Sequence, residues 1–189
     1  MSPLEIAAVV FTLANVWLAV KQNIWTWPTG IASVILYGVV FYQSRFYSNA
    51  ALQIVYLILS IHGWYEWLHG GVNHGELHVR KTTARQWIGC ALSGIVLTAA
   101  IIGLLRWTSD EVFAFSDAFT TAFSLVGQWM MNEKLLENWL IWLMVDLIYV
   151  PMFLFGHRAL TAALYALFCV LAIRGFVEWK RSLATSASV

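Results

Sequence analysis

The chain contains an internal repeat that aligns with itself without gaps. When residues 11–67 are placed on residues 123–179, an offset of 112, 14 of the 57 aligned positions are identical. The identical pairs are spread through the segment: Trp17 with Trp129, Trp27 with Trp139, Tyr37 with Tyr149, Phe41 with Phe153, and Gly63-x-x-Glu66-Trp67 with Gly175-x-x-Glu178-Trp179. Self-similarity at one fixed offset indicates a duplicated structural unit. Both copies are long apolar runs, and duplicated membrane spans are typical of secondary transporters, which hold their substrate between the copies.

The composition is that of a membrane protein. Hydrophobic residues make up 60% of the chain and charged residues only 11%, whereas a soluble domain carries about 25% charged residues. The net charge of +1 gives no bulk attraction to nucleic acid, so we expect no nucleic-acid partner. At about 20 residues per span, a chain of this length has room for about six to eight helices.

Apolar runs separated by charges and turn-forming residues predict an all-α protein with seven transmembrane helices. The predicted helices cover 3–20, 27–43, 50–68, 87–105, 113–131, 136–155 and 158–178. The longest polar segment between them is 69–86, which we interpret as the linker between the two halves.

The distribution of lysine and arginine predicts the orientation of these helices. One side collects eight basic residues, namely Lys21, Arg80, Lys81, Arg85, Lys134, Arg174, Lys180 and Arg181, and the other side collects Arg45, Arg106 and Arg158. The positive-inside rule then places the N-terminus outside and the C-terminus in the cytoplasm. Tryptophans near the predicted helix ends fit an aromatic belt at the membrane interface: Trp25, Trp27, Trp67, Trp87, Trp107, Trp139 and Trp179.

The repeat and the helix count together predict a 3+1+3 organisation. Helices 1–3 form a first repeat at 3–68, a loop and the linker helix 4 cover 69–111, a second repeat covers 112–179, and 180–189 is a cytoplasmic tail. Three spans are an odd number, so the single helix between the copies gives both copies the same orientation. Parallel repeats of this kind, related by an axis along the membrane normal, occur in SWEET-type transporters.

Polar residues inside the predicted spans are the candidate site. Asp146 lies near the centre of helix 6, and Trp139, Trp142 and Tyr149 share its helical face. A carboxylate inside a membrane is costly and by default marks a site or a pathway. The alternative is a structural aspartate that is hydrogen-bonded to a neighbouring helix.

Further candidates lie on two other predicted helices and at the start of helix 6: Ser124 and Gln128 on helix 5, Asn138 at the start of helix 6, and Gln53, Tyr56, Ser60 and Trp64 on helix 3. Amides donate and accept hydrogen bonds, which suits ribose hydroxyls or a carboxamide. The same residue types also join helices to each other in membrane bundles, so the structural alternative stays open.

Other functional classes have little support in the sequence. Four histidines cluster near the linker (His62, His69, His74 and His78), but their spacing matches no zinc pattern, so we expect no metal and no cofactor. A light-driven pump needs a lysine in its last span, and 158–178 contains none. No nucleophile–base pair points to an intramembrane enzyme. A receptor or structural membrane protein without transport remains an alternative.

Four motifs carry a resemblance to a known family. They are Asn23-x-x-x-Trp27-Pro28-x-Gly30, Gly63-Trp64-Tyr65-x-Trp67, Gly127-Gln128-Trp129 and Glu137-Asn138-Trp139-x-x-Trp142-x-x-x-Asp146. In this order and spacing, and with the three-one-three repeat, the chain resembles the PnuC family of bacterial vitamin transporters. The resemblance extends over nearly the whole chain.

The resemblance implies a fold similar to a full-length SWEET protein and a transporter for nicotinamide riboside, or for thiamine or riboflavin. It implies facilitated diffusion across the bacterial inner membrane, with a cytosolic kinase trapping the substrate without contacting the transporter. Gln128, Asn138, Trp142 and Asp146 are then the positions expected to line the substrate site, with Asn23 as a further candidate. A proton-coupled carrier is the alternative mechanism, because Asp146 could titrate. Short, uncharged loops permit a monomer or a small homo-oligomer, and membrane lipid is a further expected partner.

Overall fold

The computed structural model describes residues 2–105 and 114–186, and within these ranges the secondary structure is helical apart from one isolated β-bridge between Arg80 and Leu135. Its α-helices are α1 Pro3–Val20, α2 Thr26–Gln43, α3 Tyr47–His69, α4 Ala84–Leu105, α5 Ala114–Asn132, α6 Asn138–Phe155 and α7 Ala159–Ser186. The prediction of an all-α fold with seven helices is confirmed. Predictions that fall on Arg106, Trp107, the start of helix 5 at 113 and the boundary between 111 and 112 lie outside the described residues.

The helix ends follow from local chemistry. Ser2 caps α1, since its hydroxyl accepts from the backbone N–H of Glu5 at 3.2 Å while the Glu5 carboxylate accepts from the Ser2 N–H at 2.6 Å. α7 continues to Ser186, beyond the predicted end at 178. The prediction was too short because it followed hydropathy, and a helix can continue into polar sequence once it leaves the apolar layer.

The helices pack in an order that repeats between the copies. α2 packs against both α1 and α3, and α6 packs against both α5 and α7. The copies meet through α3 with α5 and through α1 with α7, while α4 packs against α5. The offset of 112 places α1 on α5 and α3 on α7, so the two contacts between the copies are equivalent. We propose the 3+1+3 division on this basis.

The turns repeat as well as the helices. Gln22 and Lys134 both have a positive φ, of 54° and 47°, and so do Arg45 and His157, with 63° and 56°. Each pair is separated by 112 residues. Residues other than glycine seldom adopt this left-handed conformation. The chain therefore makes the same two turns in both copies, although the residues at these turns differ.

Four of the helices are long and apolar enough to cross a membrane by length and composition, namely α1, α4, α6 and α7. The other three helices do not meet both conditions. They carry many of the polar side chains that face the interior of the bundle, such as Gln53 and Ser60 on α3 and Gln128 on α5. Large apolar side chains cover much of the outer surface, as the surface of a bilayer protein requires.

Part of the predicted linker 69–86 packs against the bundle. Leu77 and Val79 are buried, and the N–H of Leu77 donates to the carbonyl of Trp67 at 3.2 Å. Arg80 pairs through its backbone with the α5–α6 turn and forms an ion pair with Glu133. The linker therefore covers the end of the bundle at which α3 and α5 terminate.

Candidate functional site

A cavity of about 370 Å³ lies between the two three-helix copies. All six helices of the copies contribute to its wall, and among the described residues α4 contributes none. Its volume is within the range of small-molecule sites, roughly 300–1,000 Å³. The interface between the repeats is also the place where transporters of this build hold their substrates.

Nine of the twelve residues predicted to contact substrate line this cavity. They are Gln53, Tyr56, Ser60, Ser124, Gln128, Trp139, Trp142, Asp146 and Tyr149. The polar residues of helices 3 and 5 and the Asp146 face of helix 6 therefore point to one space. Their contact with substrate stays a prediction.

Three predicted residues lie away from the cavity wall. Asn23 is in the α1–α2 turn, where its side-chain oxygen accepts from the N–H of Trp25 at 2.9 Å. Trp64 is partly exposed on the surface of α3. Asn138 is fully buried and donates to the carbonyl of Leu135 at 2.6 Å. Asn23 and Asn138 therefore stabilise turns. Sequence spacing alone does not distinguish this structural role from contact with substrate.

Asp146 is the cavity's distinctive group. It is 5% exposed, and its carboxylate has no hydrogen-bond or ion-pair partner among residues 2–105 and 114–186. No lysine, arginine or histidine of the described ranges lines the cavity. A buried carboxylate without a partner is costly, so the described residues do not supply the structural role that was its alternative. In its ionised form Asp146 gives the cavity a negative charge with no basic side chain of the described ranges to balance it, which would attract a cation.

Aromatic rings surround this carboxylate on two helices. Trp142 and Tyr149 flank it on α6. On α7, Tyr165 lies with its ring centroid 4.7 Å from that of Tyr149 and 5.2 Å from that of Phe153. Trp142, Tyr149 and Tyr165 line the cavity and give it flat faces on which a planar ligand can stack.

Tyr37 and Tyr165 also line the cavity, although neither is among the residues predicted to contact substrate. The repeat contained the signal for both. Tyr37 aligns with Tyr149, and Tyr165 aligns with Gln53. Applying the offset of 112 to each predicted residue would have identified them.

On the α1–α2 side the wall is built from small polar groups that bond to each other. The Asn15 amide donates to the Thr26 carbonyl at 2.6 Å, and the Thr26 hydroxyl donates to the Asn15 carbonyl at 3.0 Å. The hydroxyls of Thr12 and Ser33 are 2.6 Å apart. A Cβ on Gly30 would lie 2.7 Å from the Asn15 amide nitrogen, so the contact of α1 with α2 requires glycine there.

Gln128 connects the cavity to the interface between the copies. Its amide donates to Asn132 at 3.1 Å, and the Asn132 amide donates in turn to the carbonyl of Leu59 at 2.9 Å. This chain of bonds runs from α5 to α3. The Gln128 carbonyl oxygen keeps its capacity to accept a hydrogen bond from a ligand.

Four tryptophans close one end of the cavity, and we call them the tryptophan cluster: Trp27, Trp67, Trp139 and Trp179. Their ring centroids are 5.2 Å apart for Trp27 and Trp67, 5.9 Å for Trp67 and Trp179, and 5.5 Å for Trp139 and Trp179. All four are buried. Their predicted place in an aromatic belt is wrong, because position along a span gives the depth of a side chain and not its direction.

The cluster is held by two equivalent hydrogen bonds between the copies. The indole N–H of Trp67 donates to the carbonyl of Met131 at 3.1 Å, and that of Trp179 donates to the carbonyl of Ala19 at 3.0 Å. Trp67 and Trp179 are repeat partners, and so are Ala19 and Met131. Each bond crosses from the third helix of one copy to the first helix of the other.

The other end of the cavity has no such cluster among the described residues. The wall there reaches Asn49 and Asp117, in the first turns of α3 and α5, and Phe41 in the last turn of α2. Asn49 is exposed. The cavity is therefore closed at the end where the linker packs and extends toward the opposite end.

Comparison with known proteins identifies the family. The sequence model of the family described as nicotinamide mononucleotide transporter matches residues 2–181. The chain belongs to this family. It is a multi-pass membrane transporter and not an enzyme, as predicted, and the resemblance to the PnuC vitamin transporters is confirmed.

The relatives include transporters with two different names. The nicotinamide riboside transporter PnuC of Escherichia coli strain K12 is 26% identical, over 96% of this chain and 87% of its own length. The riboflavin/roseoflavin transporter RibM of Streptomyces davaonensis is also 26% identical, over 90% and 81%. A crystal structure of the vitamin B3 transporter PnuC matches with a TM-score of 0.76 at 22% identity, covering 96% of this chain and 82% of that one, and shows the same fold.

Proposed function

We propose that this protein carries nicotinamide riboside across the bacterial inner membrane by facilitated diffusion. The observation that carries the proposal is the unpaired carboxylate of Asp146 in a cavity walled by aromatic rings and free of basic side chains in the described ranges. Two relatives named as nicotinamide riboside transporters, from Escherichia coli and Neisseria mucosa, support this substrate.

The chemistry of the substrate fits the wall. Nicotinamide riboside combines a flat pyridinium cation with a carboxamide and a ribose. Trp142 and Tyr149 offer faces for the ring, and cation–π attraction contributes about 0.5–2 kcal/mol. Asp146 offers the opposite charge. Gln128 and Gln53 can bond the carboxamide and the hydroxyls.

The same wall disfavours the mononucleotide. A phosphate would bring negative charge close to Asp146 without a basic side chain of residues 2–105 and 114–186 in the wall to balance it, and unpaired buried charge is strongly unfavourable. We therefore propose that the nucleoside is carried and the nucleotide is rejected, although the family is described by the nucleotide. Robust uptake of the mononucleotide by the purified protein in liposomes contradicts this proposal.

Alternating access is the proposed mechanism, with the tryptophan cluster as the cytoplasmic gate. The closed end carries Lys21, Lys134 and the basic linker, so the positive-inside rule assigns it to the cytoplasm. The N-terminus is then periplasmic and the C-terminus cytoplasmic. A cytosolic kinase that phosphorylates the nucleoside would maintain the gradient without touching the transporter.

A riboflavin carrier is the second candidate, because RibM is as similar as the Escherichia coli relative. The two substrates differ in charge, since nicotinamide riboside is a cation and riboflavin is neutral. Titration calorimetry on the purified protein should show binding of the riboside, with riboflavin, thiamine and the mononucleotide as comparisons. Asp146→Asn should weaken binding of the cation by roughly tenfold or more, about 1.4 kcal/mol, and leave a neutral ligand little changed.

Proton coupling is the alternative mechanism, and the same variant separates it from facilitated diffusion. In liposomes with an imposed pH gradient, a facilitator brings the riboside only to equal concentrations on both sides. A proton-coupled carrier accumulates it, and Asp146→Asn abolishes that accumulation. Accumulation by the unmodified protein contradicts the facilitator.

A further inference from the structure

A second cavity lies on the outer surface, between α1 and α7 near their C-terminal ends. It has a volume of about 350 Å³ and is lined by Trp17, Val20, Lys21, Ile173, Arg174, Val177, Glu178 and Arg181. It shares no residue with the substrate cavity. We call it the α1–α7 groove.

The groove carries an excess of positive charge. Lys21, Arg174 and Arg181 in its wall are basic, and Glu178 is acidic. Lys21 is paired with Glu178 at 3.3 Å. The guanidinium groups of Arg174 and Arg181 have no hydrogen-bond or ion-pair partner among residues 2–105 and 114–186. These two guanidinium groups are thus available to an anion. Each is planar and can donate two parallel N–H bonds to a phosphate.

The rest of the groove is apolar and exposed on the outer surface of the bundle. Ile173 and Val177 are 53% and 40% exposed, and Trp17 is 44% exposed. Lys21 lies with its ammonium nitrogen 5.6 Å from the centroid of the Trp17 ring. A tryptophan beside basic groups at a helix end is typical of the membrane interface. A soluble anion would use the arginines only, whereas a lipid would use both kinds of surface.

We propose that the α1–α7 groove binds an anionic phospholipid, with its phosphodiester between Arg174 and Arg181 and its acyl chains on the apolar surface beside Ile173 and Val177. Basic pockets between helices are the sites at which membrane proteins recognise anionic headgroups. This site is independent of the substrate proposal.

The groove also borders the closed end of the substrate cavity. Val20 and Lys21 directly follow Ala19, whose carbonyl accepts the indole bond of Trp179, and Glu178 directly precedes Trp179. A lipid in the groove therefore contacts both residues that flank this bond. Its binding stabilises the closed arrangement, which gives the site a second readout in thermal unfolding.

Native mass spectrometry of the purified full-length protein, with phosphatidylglycerol and phosphatidylcholine added in turn, tests the site. We expect selective retention of phosphatidylglycerol and a higher thermal midpoint in its presence. Arg174→Gln and Arg181→Gln should each weaken retention by about fivefold. The matched control is Lys180→Gln, which removes the same charge from the adjacent residue outside the groove, and it should have little effect.

Two further measurements distinguish a bound lipid from a soluble anion and from a general effect of charge. Arg181→Lys keeps the charge but loses the planar guanidinium, so it should retain more lipid than Arg181→Gln and less than the unmodified protein. Glycerol phosphate, which has the anion without the chains, should neither bind measurably nor raise the midpoint. Equal retention of the two lipids, equal losses in Lys180→Gln and Arg181→Gln, or equal binding of glycerol phosphate would each overturn the proposal.

Discussion

The two three-helix copies agree at the closed end of the cavity and differ at several positions along its wall. The residues that close the bundle are identical in both copies: Trp27 and Trp139, Trp67 and Trp179, and Gly63 and Gly175. Along the wall Tyr37 and Tyr149 are also identical, but other aligned positions diverge: Val34 against Asp146, Gly30 against Trp142, and Gln53 against Tyr165. Two equivalent halves can close on each other with the same groups. A ligand with a charge at one end needs different groups on its two sides, so divergence is expected where the ligand sits.

The largest expected effect is at the closed end of the cavity, where the two copies have identical residues. Trp27→Ala and Trp139→Ala each remove a buried ring from the tryptophan cluster, which should lower the free energy of unfolding by about 3–5 kcal/mol. Because the two rings occupy equivalent positions, the losses should be similar. Thermal unfolding in detergent measures both variants. Trp25→Ala is the control, since Trp25 is exposed.

A loss confined to one of the two tryptophans would show that the closed end is symmetric in sequence but not in energy. Identical residues in the two copies would then not contribute equally to stability, which contradicts the expected equivalence of the closed end.

The next effect concerns the glycines beneath these rings. A Cβ on Gly63 would overlap the ring of Trp27, and a Cβ on Gly175 would overlap the ring of Trp139. Gly63→Ala and Gly175→Ala should each lower the free energy of unfolding by about 1–3 kcal/mol through overpacking. Gly89 has open space around its Cβ position, so Gly89→Ala should be neutral or stabilise the helix by up to about 1 kcal/mol. Stabilisation by all three substitutions contradicts the packing.

The divergent wall is tested at Trp142, which stands where the first copy has Gly30. Trp142→Ala should weaken binding of the cationic riboside by about 1–2 kcal/mol, which is roughly five- to thirtyfold. Calorimetry measures the affinity directly. Trp129→Ala removes the same side chain from the neighbouring helix at a position outside the cavity, and its affinity should be unchanged. Equal losses in the two variants would indicate a general effect on the fold.

The sequence predicted the architecture because apolar runs and the repeat act over many residues. It also placed nine residues of the wall on α3, α5 and α6, since polar groups such as Asp146 and Gln128 inside apolar helices face an interior. It misplaced Trp67 and Trp179, because a tryptophan near a helix end suits both an interface and a buried cluster. Packing of Leu77 against the closed end depends on contacts between distant parts of the chain, which periodicity does not encode.

The smallest expected effect concerns a turn that both copies share but that carries a charged residue in only one of them. Lys134 occupies the left-handed position that Gln22 occupies in the first copy. It is buried, with its ammonium nitrogen 4.4 Å from the centroid of the Trp67 ring. Burial lowers the pKa of Lys134 from 10.5 to about 8, against an opposing effect of Glu76. In the first copy the turn carries no charge at this position.

This difference predicts a dependence of stability on pH that only the second copy contributes. A lysine whose folded pKa is lowered binds fewer protons in the folded state than in the unfolded state between pH 8 and pH 10.5, so the free energy of unfolding rises with pH in that window. The expected gain between about pH 8 and pH 9 is about 1 kcal/mol. Lys134→Met should remove this gain, and Gln22→Met should retain it. Subtracting the Lys134→Met profile isolates the effect from the other lysines, because those titrate in both proteins. A gain that persists in Lys134→Met would mean that the charge at this turn is not what distinguishes the two copies.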